Sequence, residues 1–433
     1  MNYEEALQYI NQLNSKGIAL GLERMEALLE RLDNPQKGQR FIHVAGTNGK
    51  GSVCAFLDSA LREAGLRVGR YISPTLYDYR ERIQINGQYI SKQAVASLLT
   101  KIQQACVQME RQGLDTPTVF EVETALAFLY FAQQRCDYVL LEVGMGGRLD
   151  STNVITQPVL SVITPISLDH TRMLGDHLAA IAAEKGGILK PYCPAVIGPQ
   201  QPEAQAVLAE RCQQCGITPL LVDGSQIQKQ HWDWQGQRFS YGRWPQLTIG
   251  LLGDYQQINA AIAIEALQLL QKKESALTDG AIQAGLVKTR WPGRFEIIGQ
   301  APLFVVDGAH NPAGAQALAQ TLQAHFAGKR IWLLLGVFRD KDYSQIGAIL
   351  SGCSQTVFCF QPQHERGLEA ELLAAAVAPY FQQVQVAESA EQAAQQVLQR
   401  ADREDVIVSC GSLSTIHAVQ QAVRQWEVQH GEN

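Results

Sequence analysis

The sequence predicts an α/β protein of two domains: an N-terminal nucleotide-binding domain with a P-loop-type motif on a parallel sheet, and a smaller C-terminal Rossmann-like domain. Three observations support this fold class. A glycine-rich segment joins an apolar run to an amphipathic run near residue 46. Short apolar runs alternate with helical patterns, as in the βα units of parallel sheets. The alternation breaks near residue 290 and then resumes, which indicates a second sheet.

Size and composition limit the function classes. A chain of 433 residues is too long for one hydrophobic core. The net charge of −6, without a Lys/Arg block, argues against nucleic acid or an anionic membrane as the main partner. The nine cysteines include one C-x-x-C, Cys212 and Cys215, and favour free thiols in a reducing cytoplasm. The acidic N-terminus does not resemble a secretory signal, and the longest apolar run, 331–338, is far shorter than the ~20 residues of a membrane span.

The first chemical signal is a strand, a glycine-rich loop and a helix in succession. The apolar run 41–45 predicts the strand, and the amphipathic run 52–64 predicts the helix. Backbone N–H groups of such a loop can surround a phosphate at a helix N-terminus. The loop residues are Gly46, Thr47, Asn48, Gly49, Lys50, Gly51 and Ser52. Lys50 is placed to neutralise phosphate. The generic pattern G-x-x-x-x-G-K-[ST] is not met, so an ordinary strand–helix turn is the alternative.

The other elements of the N-terminal half follow from periodicity and turn residues. Helices are expected over 2–13, 21–32, 91–113, 118–134, 181–189, 200–215 and within 251–270. Strands are expected over 67–72, 137–143 and 159–164. The segment 76–87 predicts a mobile loop leading into a hairpin, and the Trp-rich segment 231–241 predicts an excursion or hairpin.

Three polar residues follow strands of the predicted parallel sheet. These are Ser73, Glu142 and His170. Ligands collect at the carboxyl ends of parallel strands, and a buried acid there is costly unless it meets a metal or a base. A structural salt bridge is the alternative for Glu142. Together the three residues, next to a phosphate loop, predict a site for a divalent cation, Mg²⁺, which uses few protein ligands and phosphate oxygens.

The C-terminal half begins after a Trp-Pro-Gly linker at 288–296. Strands are expected over 303–306, 330–335, 356–360, 383–386 and 406–409, and their alternation with helices predicts a second parallel sheet. Asp307 and His310 follow its first strand and predict a contribution to a site between domains. Lys341 is a further candidate. The residues alone thus predict a two-domain, Mg²⁺-dependent nucleotide enzyme without a protein nucleophile.

Five strings occur in order along the chain: GTNGKGS, LEVGMGGRLD, LDHT with EKGG, PGRF and DGAHNP. In these motifs the sequence resembles the folylpolyglutamate synthase/dihydrofolate synthase family of the Mur ligase superfamily. The resemblance implies an ATP-dependent ligase of folate biosynthesis that adds L-glutamate to dihydropteroate or a reduced folate through an acyl phosphate. It also implies an ATP- and folate-binding domain at 1–292, a glutamate ligase domain at 293–433, and a monomer.

The resemblance also implies roles for individual residues. Ser73, Glu142 and His170 would hold the metal. Lys50, His170 and Lys185 would be catalytic, with Lys185 carbamylated; a solvated lysine is the alternative. The phosphate loop would bind ATP together with Asn259, Arg294, Asp307 and His310. The pterin end would lie near Thr118, Phe120, Arg148, Asp150 and Ser151, although Phe120 fits a helix core equally well. Two positions depart from the family pattern, because Thr75 and Tyr255 each replace a histidine.

Three other functions are weighed against this one. Another Mur-superfamily amino-acid ligase, acting on a different carboxylate, usually carries an additional N-terminal domain, whereas about forty residues precede the loop here. A P-loop NTPase acting as a switch or transporter subunit predicts the strict phosphate-loop motif, which is missing. A non-catalytic binding module leaves Glu142, His170 and Asp307 unexplained.

Overall fold

The computed structural model describes residues 1–13, 17 and 19–430. The helices in this part of the chain are α1 (Tyr3–Leu13), α2 (Glu23–Arg31), α3 (Lys50–Glu63), α4 (Lys92–Arg111), α5 (Val119–Gln134), α6 (Thr171–Leu174), α7 (Leu178–Gly186), α8 (Pro202–Gln214), α9 (Tyr255–Gln271), α10 (Asp279–Lys288), α11 (Pro312–His325), α12 (Tyr343–Leu350), α13 (Ala370–Val377), α14 (Ala390–Leu398) and α15 (Ile416–His430). None of these helices is long and apolar enough to cross a bilayer.

The strands of the N-terminal half form two sheets. The strands of the larger sheet are β1 (Phe41–Ala45), β2 (Val68–Tyr71), β3 (Ile83–Ile85), β4 (Gln88–Tyr89), β5 (Tyr138–Glu142), β6 (Leu160–Ile163), β7 (Ala195–Ile197) and β8 (Leu220–Leu221). Those of the smaller sheet are β9 (Gln228–Asp233), β10 (Gly236–Tyr241) and β11 (Trp244–Ile249). The C-terminal half contains β12 (Glu296–Gln300), β13 (Leu303–Val306), β14 (Ile331–Leu335), β15 (Thr356–Cys359), β16 (Gln383–Val386) and β17 (Val406–Cys410).

The larger N-terminal sheet has the strand order β4-β3-β2-β5-β1-β6-β7-β8. The six strands from β2 to β8 in that order pair in parallel, while β3 and β4 form an antiparallel hairpin at one edge. The central strand β1 is buried along its whole length, as expected for a parallel strand covered on both faces. The short strands β7 and β8 were not anticipated from the sequence, because each has only two or three residues and carries no periodic pattern.

The carboxyl ends of β1, β2, β5 and β6 meet at one edge of this sheet. Val44 near the end of β1 lies opposite Glu142 at the end of β5, and Ala45 lies opposite Ile163 of β6. The phosphate-loop segment, Ser73, Glu142 and the segment leading to His170 therefore start from the same edge. The sheet topology thus produces the juxtaposition on which the predicted site depends.

The three-stranded antiparallel sheet β9–β11 links the two halves of the chain. Only a hairpin or excursion was expected at 231–241, whereas the strands run from 228 to 249. Trp232 on β9 stacks on His325 at the end of α11, with ring centroids 4.2 Å apart and planes 15° apart. The His325 Nε2 atom is 2.8 Å from the Asp254 Oδ1 atom, which precedes α9. We call the contact between Trp232 and His325 the Trp232 stack. It fixes the sheet β9–β11 against the C-terminal half.

The C-terminal sheet has the order β12-β13-β17-β14-β15-β16. The five predicted strands, β13 to β17, pair in parallel as expected, and β12, which was not predicted, pairs antiparallel with β13. The reason is the short connection between Gln300 and Leu303, which is too short for a crossover and permits only a hairpin. Apolar clusters cover both faces of this sheet.

Candidate active site

Carbonyl groups of the glycine-rich loop accept hydrogen bonds from the side chain of Lys50 in the same loop. Gly49 precedes α3 with φ +91°, a left-handed conformation that favours glycine, so α3 begins at Lys50 rather than at Ser52. The Lys50 Nζ atom donates to the carbonyl oxygens of Gly46 at 3.1 Å and Thr47 at 3.2 Å. The ammonium group of Lys50 therefore sits inside the curve of the loop, where a phosphate oxygen could replace these carbonyls.

Lys185 approaches the same loop from α7. Its side chain is buried, and its Nζ atom donates to the Gly46 carbonyl oxygen at 2.9 Å. Burial lowers the pKa of Lys185 to about 7, and the nearby positive charge of Lys50 acts in the same direction. A substantial fraction of this amine is therefore uncharged near neutral pH.

Glu142 lies at the end of β5 and is 5% exposed. The backbone N–H of Ser73 donates to its Oε2 atom at 3.3 Å, so two of the three predicted metal ligands are in contact. Burial raises the pKa of Glu142, and the charge of Lys50 opposes that shift. A buried carboxylate with so few donors has unused capacity for a cation.

His170 occupies a left-handed conformation with φ +51° immediately before α6. Its backbone N–H donates to the Oδ1 atom of Asp169 at 2.8 Å, which fixes the turn. Burial lowers the pKa of His170 to about 4, so the imidazole is neutral at physiological pH. A neutral imidazole retains the lone pair that a metal ligand needs.

Asp169 is the meeting point of the two halves of the chain. Lys341 Nζ donates to its Oδ1 atom at 2.6 Å, and both side chains are less than a tenth exposed. Asn311 Nδ2 donates to Oδ2 at 3.0 Å, and His310 Nε2 lies 3.6 Å from the same oxygen. Burial alone would raise the pKa of Asp169, but the His310 contact and the Lys341 charge outweigh burial and hold that pKa well below its usual value.

A second contact joins Asn311 directly to the phosphate loop. The side-chain amides of Asn48 and Asn311 exchange two hydrogen bonds of 3.1 Å each. Neither Asn311 nor the carboxylate of Asp169 was identified as a site residue from the sequence. The available signal for Asn311 was its place before Pro312, where its Oδ1 atom caps α11.

The linker between the domains wraps around Asp307. Its Oδ2 atom accepts hydrogen bonds from Tyr255 Oη at 2.6 Å and from the Phe295 N–H at 2.8 Å, and its Oδ1 atom accepts from the Ala309 N–H at 2.7 Å. Arg294 crosses directly over Gly308, where a larger residue would leave no room for the guanidinium group. The predicted nucleotide residues Arg294 and Asp307 are therefore neighbours.

Asn259 and His310 are the remaining predicted nucleotide residues. Asn259 lies on α9 against Gly49, where a Cβ atom would collide with the Asn259 amide oxygen. Its Nδ2 atom donates to Gln256 at 2.9 Å. His310 Nδ1 lies 2.6 Å from the Gly308 carbonyl oxygen, which leaves Nε2 directed toward Asp169. The loop, α9 and the start of the C-terminal domain thus converge.

The residues predicted for the pterin end are placed close to β5 but are largely engaged with one another. Thr118 caps α5 by a reciprocal arrangement with Glu121. Asp150 is buried and accepts from the Met145 N–H and from Thr152 N–H and Oγ1. These hydrogen bonds hold the loop after β5, and they were foreseeable from the patterns T-x-x-E and D-x-T.

The other members of that group have different surroundings. Phe120 packs on Gly144, and its ring centroid is 6.0 Å from that of Tyr71. Arg148 is exposed and pairs with Glu184 at 2.7 Å. Ser151 is buried in the short helical turn that follows Asp150. Phe120 is therefore the member of the group with an apolar face still partly accessible.

A cavity of about 280 Å³ opens beside the phosphate loop. It lies between α3, the segment after β2 and the linker to the C-terminal domain, and its lining includes Gly51, Ser73, Glu142, Trp291 and Arg294. Because Ser73 and Glu142 lie on its wall, a small molecule in this cavity would reach the predicted metal ligands.

The three predicted metal ligands form a donor set that suits Mg²⁺. Among the described residues, no group of three or more His, Cys, Asp and Glu side chains is arranged to hold a metal. Ser73, Glu142 and His170 supply one hydroxyl, one carboxylate and one neutral imidazole. This set fits an ion that completes its shell with water and phosphate oxygens, as Mg²⁺ usually does.

Comparison with protein families gives two matches. Residues 44–267 match the Mur ligase middle domain, and residues 293–413 match the Mur ligase glutamate ligase domain. The two matches are separated at the linker that wraps around Asp307.

Individual relatives agree with these matches. The chain is 39% identical to a dihydrofolate synthase/folylpolyglutamate synthase of Bacillus subtilis, over 79% of this chain and 81% of the relative. It is 34% identical to a protein of the same name from Escherichia coli, over 96% of this chain and 94% of the relative. Among solved structures, Mycobacterium tuberculosis folylpolyglutamate synthase complexed with ADP and AMPPCP superposes with a TM-score of 0.87, at 34% identity, over 98% of this chain and 99% of that chain.

A second solved structure contains both DHPP and ADP. Escherichia coli FolC in complex with DHPP and ADP superposes with a TM-score of 0.84 at 32% identity, over 99% of this chain and 98% of that chain.

Proposed function

Since this chain belongs to the Mur ligase family, in its folylpolyglutamate synthase/dihydrofolate synthase branch, we propose that it joins L-glutamate to the carboxylate of a folate or of dihydropteroate at the expense of ATP. The observation that supports this most directly is that the phosphate loop, Glu142 and the C-terminal residue Arg294 line one cavity. The activity belongs to folate biosynthesis and one-carbon metabolism.

The reaction has two steps. A carboxylate oxygen of the acceptor attacks the γ-phosphorus of ATP, which forms an acyl phosphate and releases ADP. The amine of L-glutamate then attacks the acyl carbon, phosphate leaves with the electron pair of the C–O bond, and the amine loses a proton. The first step is needed because a carboxylate is a poor electrophile with a poor leaving group.

Lys50 is the residue we assign to charge stabilisation during phosphoryl transfer. Its ammonium group already lies inside the loop, bonded to two carbonyl oxygens that a phosphate oxygen can replace. Mg²⁺, held by Ser73, Glu142 and His170, would supply further neutralisation of the phosphate oxygens when bound. Asn259, Arg294, Asp307 and His310 would contact the nucleotide from α9 and from the C-terminal domain.

Lys185 is proposed to be carbamylated. Only an uncharged amine reacts with carbon dioxide, and burial lowers the pKa of this lysine to about 7. The carbamate would carry a negative charge beside Lys50, which removes the repulsion between two cations near Gly46. The product resembles a carboxylate and would help to hold the metal site.

The acceptor is proposed to place its pterin near Phe120, with Thr118, Arg148, Asp150 and Ser151 shaping that region. The partly accessible ring of Phe120 supports a stacking role. Since Thr118 and Asp150 are engaged in the hydrogen bonds of a helix cap and a loop, their contribution would be to hold the walls of the site.

We also propose a division of the chain into an ATP- and folate-binding domain at 1–292 and a glutamate ligase domain at 293–433. The linker around Asp307 and the family matches support this boundary. We also propose a cytoplasmic location, which the nine free cysteine thiols support. A monomer is expected, and sedimentation of the purified protein tests that expectation.

Product mass is the decisive experiment. The protein is incubated with MgATP and L-glutamate, in parallel with dihydropteroate and with a reduced folate, and the products are analysed for one added glutamyl unit and ADP. Addition to both acceptors would make the enzyme bifunctional, which we expect. Addition to neither, with ADP binding intact, would contradict the folate assignment and favour a ligase for another carboxylate.

A further inference from the structure

Tyr255 connects the two domains at the residue assigned to the nucleotide. It is the first residue of α9, in the N-terminal domain, whereas Asp307 directly follows β13 in the C-terminal domain. The Tyr255 hydroxyl donates to the Asp307 Oδ2 atom at 2.6 Å. Tyr255 also departs from the family pattern, in which a histidine precedes the glutamine at this point.

The hydrogen bonds of Asp307 are distributed unevenly over its two oxygens. Oδ2 accepts from Tyr255 and from the Phe295 N–H, while among the described residues Oδ1 accepts only from the Ala309 N–H. Asp307 is 3% exposed, so an unfilled acceptor site on Oδ1 is costly unless a ligand fills it. The ligand group that suits this atom is a donor, such as a sugar hydroxyl or an exocyclic amine of a nucleoside.

The carboxylate of Asp307 accepts hydrogen bonds from both domains. Phe295 and Ala309 belong to the C-terminal domain with Asp307, so Tyr255 supplies the contact from the N-terminal domain. Burial and the Asp307 charge raise the pKa of Tyr255, which keeps its hydroxyl protonated as a donor. The orientation of Asp307 is thereby tied to the position of α9.

We propose that Tyr255 is a positioning residue for nucleotide binding, which holds Asp307 from across the domain boundary so that Oδ1 accepts a donor group of the nucleoside. This inference rests on the proposed function only in that Asp307 contacts ATP. Tyr255 does not touch the reacting atoms, so its effect falls on nucleotide affinity rather than on the chemical step.

The test compares two ligands of the phosphate loop by calorimetry. ADP carries the nucleoside, whereas inorganic tripolyphosphate does not. Tyr255→Phe, which removes only the hydroxyl, is expected to weaken ADP binding about tenfold and to change tripolyphosphate binding less than about twofold. In steady-state assays the KM for ATP rises by a similar factor, and kcat at saturating ATP stays within about twofold.

Two controls separate positioning from a general loss of structure. Tyr138→Phe also removes a hydroxyl that donates to a carboxylate, in this case that of Glu274. Tyr138 is the first residue of β5, at the opposite end of the strand from Glu142, so this variant should alter the binding of neither ligand. In an Asp307→Asn background, Tyr255→Phe should have little further effect on ADP binding, because the two residues act as a pair.

Three results would overturn the proposal. These are an unchanged ADP affinity in Tyr255→Phe, an equal weakening of ADP and tripolyphosphate, and an undiminished effect in the Asp307→Asn background. Because binding of ADP is measured without any folate, failure of the folate assay leaves this test intact. Failure of the unmodified protein to bind ADP would overturn the nucleotide premise itself.

Discussion

Asn48 in the phosphate loop and Asn311 at the start of α11 exchange two side-chain hydrogen bonds across the domain boundary. Asn311 also donates to Asp169, which in turn accepts from Lys341. The phosphate loop, the turn that carries His170 and the C-terminal domain are therefore parts of one hydrogen-bonded network. Disturbing that network from the C-terminal side should affect chemistry on the N-terminal side.

Asn311→Asp should disable this network while leaving the helix cap in place. The new carboxylate still accepts from the Gly314 N–H, but it lies beside Asp169 as a like charge instead of a donor. Like charges at this distance cost several kcal/mol, so we expect kcat/KM to fall about a hundredfold or more. Steady-state kinetics and the thermal midpoint measure the two effects.

The matched control is Asn2→Asp. The side chain of Asn2 accepts from the Glu5 N–H near the start of α1, outside the network of Asn48 and Asp169. Asn2→Asp is the same isosteric change as Asn311→Asp. It should leave kcat/KM within about twofold. An Asn311→Asp variant with unaltered kcat/KM would show that the interdomain network is not used in the reaction.

The buried amine of Lys185 should make the free energy of unfolding increase with pH in buffer free of carbon dioxide. Its folded pKa of about 7 is below its ordinary value of 10.5, so between these values the folded state loses a proton that the unfolded state keeps. Stability relative to Lys185→Met should therefore rise with pH across that window, by up to about 1.4 kcal/mol per unit. Urea unfolding at several pH values measures it.

The exposed Lys37 provides the comparison for Lys185. Lys37→Met makes the same lysine-to-methionine change at an exposed position and is measured in the same urea series. A difference between wild type and Lys185→Met that does not vary with pH would mean that the buried amine does not titrate there. Adding ¹³C-bicarbonate to wild type should produce a carbamate signal that Lys185→Met lacks.

Glu142→Gln should separate activity from stability. The substitution removes a buried charge whose pKa is raised by burial, while keeping an acceptor for the Ser73 N–H. Without metal we expect the thermal midpoint to be unchanged or higher, because an incompletely paired buried carboxylate is costly. Activity should fall at least about a hundredfold, since a charged ligand is lost beside the phosphates.

The measurement for Glu142→Gln is a titration of Mn²⁺ in the presence of ADP. Its affinity for the metal should fall, while ADP binding in the presence of a chelator should remain. Glu123→Gln is a second buried carboxylate variant, at a site where Arg82 pairs with the carboxylate, and should lose stability instead. Unchanged metal affinity in Glu142→Gln would exclude Glu142 as a ligand.

Gly51→Ala should disturb the linker from within α3. A Cβ atom at this position would lie 2.6 Å from the ring of Trp291, so the ring must move. Trp291 precedes Arg294 in the linker, and we expect kcat/KM to fall about tenfold to a hundredfold because small displacements of positioned groups are costly. Gly280→Ala, near the start of α10, would place its Cβ 3.8 Å from the Thr278 Oγ1 atom, an ordinary contact, and should be neutral or stabilising.

Strands with continuous apolar runs could be predicted closely from the sequence. The predicted bounds 41–45 and 303–306 coincide with β1 and β13. The residues at strand ends were also found, since parallel topology places them at one edge. The roles assigned to those residues remain predictions, which the variants above address.

What the sequence did not reveal depends on contacts between distant segments. Asp169 and Lys341 are 172 positions apart, and nothing local in either segment indicates the other. Asp150 illustrates the opposite case, because its hydrogen bonds to Met145 and Thr152 are local and readable. The antiparallel strand β12 was missed because the linker residues before it carry turn signals that conceal a short strand.

The fluorescence of Trp232 can report on the contact between the sheet β9–β11 and the C-terminal half. Indole emission is sensitive to a ring stacked at 4.2 Å. The stack cannot survive a rotation of one domain on the other unless the rotation axis passes through it. Emission that changes when nucleotide and acceptor bind would therefore report a rotation of one domain on the other.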